Sequence, residues 1–410
     1  MAAITALVLS GGGARAAYQV GVLRALSKMR RAALSGDARE DNPFKIIIGT
    51  SAGAINSAAL ACQADRYDAA VEVLAKVWSE FSADQVYRSD SLGVIRSGAQ
   101  WLTMLSMGWA LARFKRIKPR SLLDNTPLAE LLEKLIPMER LPTMLARKHL
   151  HALAVTASSY SGGEHVTFYS AAKPIEPLVR SQRLAVPTQL IHEHLLASSA
   201  IPFIFPAKRI HHSAADGAHA AWYGDGAMRQ TAPLSPAIHL GADKLLIIGA
   251  GRMNEPKSLT RSTTQYPTLA QIAGHAMASI FLDALAVDIE RMNRINRTLA
   301  LLPPQALAGT PLRPLQSLVI APSQRIDEIA ARHLHHLPTP VRVLLAGAGV
   351  GKTGQQTQGS ALASYLLFEA PFTRELMALG EADTYDRQDE VHAFFGWPWH
   401  QDPDADPQAV

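Results

Sequence analysis

Uninterrupted apolar runs alternate with segments of helical periodicity through the first part of the chain. Residues 4–9 read as a buried strand, "SGGGAR" as a turn and residues 16–29 as a helix. "SGDAREDNP" reads as a loop, residues 44–49 as a second buried strand, and residues 52–81 as one long or two short helices. The strands are apolar at every position rather than at alternate ones. Both of their faces must therefore be covered, and the βαβα order predicts a parallel sheet between helices.

Further along, "LDNTPLAELLEKLI" predicts a helix started by Asn125 or Thr126 with Pro127 in its first turn. "LHALAVTASSYSGGEHVTFYSA" predicts two strands around a Ser-Gly-Gly turn. "HEHLLASSAIPFIFP" reads as a short helix broken at Pro202, "AWYGDGAM" as a strand ending in a turn, and "ADKLLIIGAG" as another buried strand. Residues 268–299 form a long amphipathic pattern in which Leu269, Ile272, Ala276, Ile280, Leu285, Ile289, Met292 and Ile295 recur near helical spacing. The chain ends in a Pro/Asp-rich stretch expected to be disordered.

Length and composition narrow the field. The chain has 410 residues, 48% of them hydrophobic, enough for one elaborated α/β domain or two to three smaller ones. Its formal charge of +5 is scattered along the chain, which argues against nucleic-acid binding but would not repel an anionic membrane. Cys62 is the single cysteine, so no internal disulfide can form and a reducing, cytoplasmic setting is expected, with Cys62 in the core. The first residues read as a strand running into a glycine loop rather than as a signal peptide, and no membrane span is expected. "WLTMLSMGWALARFKRIKPR", from Trp101 to Arg120, joins apolar residues to a basic cluster. It is the candidate for peripheral contact with the inner membrane face, set against the plainer reading of a core helix with a cationic last turn.

The chemistry concentrates in "FKIIIGTSAGAIN". Gly49-Thr50-Ser51-Ala52-Gly53 falls where a strand becomes a helix without a gap. A serine on such an elbow is forced into strained backbone, needs small neighbours, and lifts its hydroxyl at the carboxyl end of the sheet. Gly11-Gly12-Gly13-Ala14-Arg15 makes a second strand-to-helix turn, whose bare amides suit an anion or oxyanion. The letters also fit a dinucleotide fingerprint, but the acid that should end the second strand is missing: that strand ends in Thr50 and Ser51.

A nucleophile needs a base. None of the 15 histidines falls in a strand-end turn; His239, His333, His335 and His336 read as surface or packing residues. Asp225, in "WYGDGAM", does end a strand. A carboxylate in hydrogen-bond reach of Ser51 can take its proton directly, provided partial desolvation raises its pKa. Asp216-Gly217-Ala218 repeats the same letters in a polar loop and lacks the proline found downstream of Asp225, so Asp225 is preferred.

These motifs, in this order and at these separations, resemble the patatin-like phospholipases. The resemblance rests on G-G-G-x-R at Gly11 to Arg15 with "GVL" at Gly21, on G-x-S-x-G at Gly49 to Gly53, on A-S-x-A-x-P at Ala197 to Pro202, and on D-G-A at Asp225 to Ala227 followed by "GADKLLII". More weakly, "SYLLFEAPFTRELMALGEADT" looks like the C-terminal segment of bacterial members. The resemblance implies a three-layer α/β/α sandwich with a Ser51–Asp225 dyad. It places the oxyanion hole in the loop of Gly11, Gly12 and Gly13, chiefly on the amides of Gly12 and Gly13. It gives Arg15 the part of supporting that loop or meeting a lipid phosphate. Ala16 departs from the family, which commonly has glycine there. It further implies a catalytic domain at 1–250, a helical C-terminal extension at 251–400 packed on it, and a tail at 401–410.

The expected activity is hydrolysis of lipid carboxylic esters through an acyl-enzyme, with no cofactor and no metal. Acyl transfer or thioester cleavage on the same dyad, and a lipid-binding protein without catalysis, are the rival readings. "VRVLLAGAGVGKTGQQ" nearly spells a phosphate-binding loop but lacks the first glycine and a good following helix, and is expected to be a surface loop. His192-x-His194 and the histidines at 333–336 lack a matching set of metal ligands.

Overall fold

In the computed structural model, which describes residues 3–35, 42–88, 121–175, 179–180, 182–214, 217–253, 266–353 and 356–398, the expected strands join others in a ten-stranded mixed sheet. Its strands are β1 (Thr5–Leu9), β2 (Ile46–Thr50), β3 (Ala152–Ser159), β4 (His165–Ala171), β5 (Val179–Arg180), β6 (Arg183–Pro187), β7 (Lys208–Ala214), β8 (Gly217–Asp225), β9 (Lys244–Ile248) and β10 (Gln316–Ile320). The main path runs β10-β9-β1-β2-β3-β4-β6-β5, while β8 pairs with β3 and with β7. From β10 to β3 every pairing is parallel. The "SGG" turn makes β3 and β4 an antiparallel hairpin, and β8 also runs antiparallel to β3.

Alternate residues of the central strands enter different cores. Leu7, Leu9, Ile47, Leu153, Val155, Leu246 and Ile248 belong to one apolar cluster; Ala6, Val8, Ile46, Ile48, Ala154, Leu245 and Ile247 belong to the other. Helices cover both, which is why the strands could be apolar throughout. The first cluster lies under α1 (Ala17–Ala33), α2 (Ala52–Ala61), α3 (Tyr67–Ser79) and α4 (Thr126–Leu135). The second is closed by Leu234 and Ala237 at the start of α5 (Ser235–His239) and by Leu285 and Met292 of α6 (Leu269–Leu299). The result is a three-layer α/β/α sandwich with a mostly helical C-terminal region.

The polypeptide after residue 250 is woven into this body. β10 extends the sheet beside β9, and helix α7 (Ala370–Tyr385) lies along α1. The long pattern near residue 270 is one helix, α6, from Leu269–Leu299, interrupted by a π-helical turn at Ser279–Asp283. Among the described residues it is the one helix long and apolar enough to cross a bilayer. Here it packs on the protein through Phe281, Leu285 and Met292, and its Asp288 accepts a hydrogen bond from the Leu234 amide.

One open alternative is decided and one expectation is overturned. Residues 52–81 form two helices, α2 and α3, joined by a short 3-10 turn. "VRVLLAGAGVGKTGQQ" is a helix (Thr339–Gly347) followed by a two-stranded hairpin of Gly351–Thr353 and Gln356–Gln358, rather than a loop. That order, helix before strand, is the reverse of a phosphate-binding loop, which needs a strand leading into a helix N-terminus. The Trp101 to Arg120 segment, Asp216 and the tail after 398 lie outside the described residues.

Candidate active site

Strand register assembles the site. β1, β2 and β9 are aligned so that Leu9 stands beside both Gly49 and Ile248. The glycine turn after β1 and the serine turn after β2 therefore leave the sheet at the same edge. The flank of β3 is shared: β2 occupies it as far as Thr156, and β8 takes over from Ala157. β2 runs parallel to β3 and β8 antiparallel, so the two strands end pointing at one another. Ser51 follows the last residue of β2, and Asp225 is the last residue of β8.

The side chains meet there. Ser51 Oγ donates to Asp225 Oδ2 at 2.6 Å, a length typical of a hydroxyl bonded to a carboxylate. Asp225 Oδ1 accepts from the Ala227 amide at 2.9 Å. Both residues are buried, Asp225 completely. Burial pushes the Asp225 carboxyl up to about 7, against the opposing pull of its hydrogen bonds from Ser51 and Ala227.

Ser51 sits at φ 56°, ψ −130°, a conformation L-residues adopt rarely and at a cost of about 1–3 kcal/mol. Its own amide is tied down by Ser198, whose Oγ accepts it at 2.8 Å. Ser198 lies in "ASSAIP", the motif noted in the sequence without a role for each residue; the repeated serine was the available signal. Behind Ser51, Thr50 and Thr156 share a hydroxyl–hydroxyl bond of 2.8 Å, and Gln230 donates to Thr50.

The glycine turn faces this pair. A Cβ at Gly11 would stand 3.0 Å from the Ser51 Cβ and 2.8 Å from the Phe281 ring, so the turn passes too close to Ser51 for a side chain. Gly13 has φ +55° and opens a 3-10 turn into α1. The Ala14 amide donates to Tyr365 O at 3.1 Å and the Arg15 amide to Gly12 O at 3.1 Å. Among the described residues no acceptor takes the amides of Gly12 and Gly13. They are free donors at a helix start, beside Ser51.

Arg15 turns away from the cleft. It is only 4% exposed, and its Nε donates to Ser364 Oγ at 2.7 Å and its Nη2 to Ala361 O at 3.3 Å. Its guanidinium lies 4.2 Å from the centre of the Tyr365 ring. Buried and bonded in this way, it is not among the residues that line the cleft.

From Ser51 an apolar cleft of roughly 820 Å³, its open mouth included, runs between α2, α3 and α4. Gly13, Ser51 and Ala52 line one end, and Ile55 and Ala59 continue along α2; Val77, Leu132 and Phe368 are among the other walls. Residues 51 to 59 rise about 12 Å along a helix, so the lined wall is long enough to lie beside an extended hydrocarbon chain.

Histidines weighed in the sequence as a base or as metal ligands have other partners. His194 Nδ1 accepts from the Ile191 amide, His192 bonds to Ile136 O, and His333 bonds to Glu375. Cys62 is buried against Met138. Among the described residues no group of three or more His, Cys, Asp or Glu side chains is gathered to hold a metal ion.

A family model described as patatin-like phospholipase matches residues 7–238. Among solved structures, the chain is similar to VipD from Legionella pneumophila at 12% identity, covering 92% of this chain and 67% of that one, with a TM-score of 0.31. It is similar to human GIVD cytosolic phospholipase A2 at 12% identity, covering 96% of this chain and 60% of that one, with a TM-score of 0.43. It is also similar to ExoU of Pseudomonas aeruginosa, solved with SpcU, at 14% identity, covering 94% and 73%, with a TM-score of 0.28. The chain thus spans about three fifths of the human phospholipase chain. No curated protein matches it by sequence.

Proposed function

The chain belongs to the patatin-like phospholipase family, and from that premise we propose that it is a serine lipid acyl hydrolase that cleaves carboxylic esters through Ser51 and Asp225. The observation that carries this reading is the 2.6 Å contact between Ser51 Oγ and a fully buried Asp225 at the head of an apolar cleft.

In this mechanism the ester carbonyl carbon sits over Ser51 with its acyl chain in the cleft beside Ile55, Ala59 and Val77. Ser51 Oγ attacks as its proton passes to Asp225 Oδ2. A carboxylate with a pKa about 7 is a far better base than an exposed aspartate, is about half ionised at neutrality and becomes fully ionised above it. The amides of Gly12 and Gly13 meet the charge that develops on the carbonyl oxygen. Collapse of the tetrahedral intermediate expels the alcohol, which takes the proton from Asp225. Water then attacks the acyl-serine, giving a proton to Asp225; as the second intermediate collapses Ser51 Oγ leaves with that proton, and the fatty acid departs. Arg15 supports the glycine turn from behind.

The test is a fluorophosphonate probe mapped to its site of attachment, run beside a panel of phospholipids and simple esters. A single adduct on Ser51, lost in Ser51→Ala together with hydrolysis of the panel, is the expected result. A wild-type protein that neither labels nor hydrolyses any ester would reduce the chain to a non-catalytic member of the family.

A further inference from the structure

We propose that Ser364 and Tyr365, from the C-terminal segment, with Phe281, from the π turn of α6, are positioning residues that set the glycine amides opposite Ser51. This rests on the hydrolase reading and extends it to residues outside the span of 7–238 matched by the family model.

Three contacts converge on one turn. The Tyr365 carbonyl accepts the Ala14 amide at 3.1 Å, so it fixes the peptide next to Gly13. A Cβ on Gly13 would fall 2.3 Å from that same oxygen, which shows how closely the two backbones are pressed. Arg15 is then bound to the segment by its side chain, through Ser364 Oγ, Ala361 O and the face of the Tyr365 ring. The Ser364 hydroxyl is itself oriented, donating to Ala361 O at 2.6 Å while it accepts from Arg15. Finally, the Phe281 ring packs against the Tyr365 ring, with ring centres 5.1 Å apart, and against Gly11.

Arg15, Tyr365 and Phe281 thus form a stack whose two ends touch the glycine turn at Arg15 and at Gly11. All three are buried. A desolvated cation on an aromatic face is held more strongly than an exposed one, and buried donors of Arg15 have no water to fall back on. The π turn contributes as well. A π turn shifts the helix face by one residue, and such turns concentrate at functional sites. Here it lies where Phe281 meets Gly11. The turn carries free amides whose worth depends on being preorganised to a fraction of an ångström. A loop of three glycines has no side chains of its own to hold it. The stack supplies that rigidity from parts of the chain about 270 and 350 residues away.

The test uses the full-length protein and two matched substrates, an ester and its thionoester. Sulfur is the poorer hydrogen-bond acceptor, so intact amides favour the oxygen substrate. Displaced amides lower the ester rate more than the thionoester rate. Ser364→Ala removes one oxygen and is expected to lower kcat on the ester about 10-fold to 100-fold, with KM within about twofold, and to contract the ester-to-thionoester ratio. Arg15→Met is expected to do the same more severely, and Arg15→Lys to recover part of the loss. Should Arg15→Met fail to fold, Ser364→Ala decides, with its circular dichroism and melting temperature measured alongside. An active wild type whose ratio is unchanged in Ser364→Ala and Arg15→Lys overturns the positioning role and leaves the hydrolase standing. A wild type that hydrolyses neither substrate overturns both.

Discussion

Ser51 is held from two directions: its amide donates to Ser198 Oγ at 2.8 Å and its hydroxyl donates to Asp225 at 2.6 Å. The first bond secures backbone in a costly conformation, and the second aims the side chain. A residue strained at φ 56° keeps its place only while its surroundings over-determine it. Ser198→Ala removes the acceptor from a buried amide without touching the substrate. The expected outcome is a fall in kcat of roughly 10- to 100-fold, because small misplacements of a reacting atom are costly. Slower labelling of Ser51 by a fluorophosphonate, with KM little changed, is the signature to look for.

Asp225 as proton acceptor makes the reaction pH-dependent in a particular direction. The base must be ionised in the free enzyme, so kcat/KM should rise with pH and level off, with its inflection near the carboxyl value of about 7. A histidine-dependent enzyme could mimic that curve, so substitution must accompany it. Asp225→Asn is expected to abolish hydrolysis and remove the inflection. Asp216→Asn, at the lookalike D-G-A, is expected to retain most of the activity. The reverse pairing would mean that the other aspartate is the base.

The same shift has a consequence for stability. Asp225 has a raised pKa when folded, so between about 4 and 7 the native state holds a proton that the unfolded chain has lost. Its contribution is therefore fully present below about 4 and is lost as pH rises through about 7. Asn cannot ionise, keeps the shape, and can still accept from the Ala227 amide. Denaturant unfolding at pH 5 and pH 8 should show Asp225→Asn gaining on the wild type as pH rises, by an amount on the order of 2 kcal/mol. A difference independent of pH would mean that the folded carboxyl is already ionised at pH 5 and that its pKa is not raised.

How much of this could be read from the chain depends on how local each feature is. The parallel strands declared themselves because residues such as Ile46, Ile47 and Ile48 are apolar on both faces, and Ser51 because a serine between small residues interrupts such a run. Asp225 could be placed at a strand end, but its approach to Ser51 depends on β2 and β8 sharing one flank of β3, a matter of pairing rather than of composition. Ser198 was visible as a letter in a motif, yet its bond is to a backbone amide 147 residues away. Ser364 and Tyr365 open a segment that showed only a resemblance to bacterial members and no role: a buried tyrosine reads as core whether or not its carbonyl holds a distant loop. The π turn was equally silent, since residues 268–299 keep an apolar stripe across it.

The apolar cleft makes the remaining prediction, which concerns chain length. Ile55 and Ala59 line the cleft one and two turns beyond Ser51 on α2, and the small side chain at 59 leaves that stretch open. Ala59→Phe places a ring about 12 Å from the nucleophile along the helix axis while leaving Ser51, Asp225 and the glycine turn untouched. Esters of short acids stop before that depth and should turn over as in the wild type. Longer chains lose the burial of their terminal methylenes, each worth about 0.8 kcal/mol, or roughly fourfold in kcat/KM. A series of p-nitrophenyl esters of increasing length should therefore follow the wild-type curve at first and then fall below it, by at least about tenfold for the longest chains. Equal loss at every length would instead place the acyl group somewhere other than this cleft, since only a chain that passes Ala59 can feel the new ring.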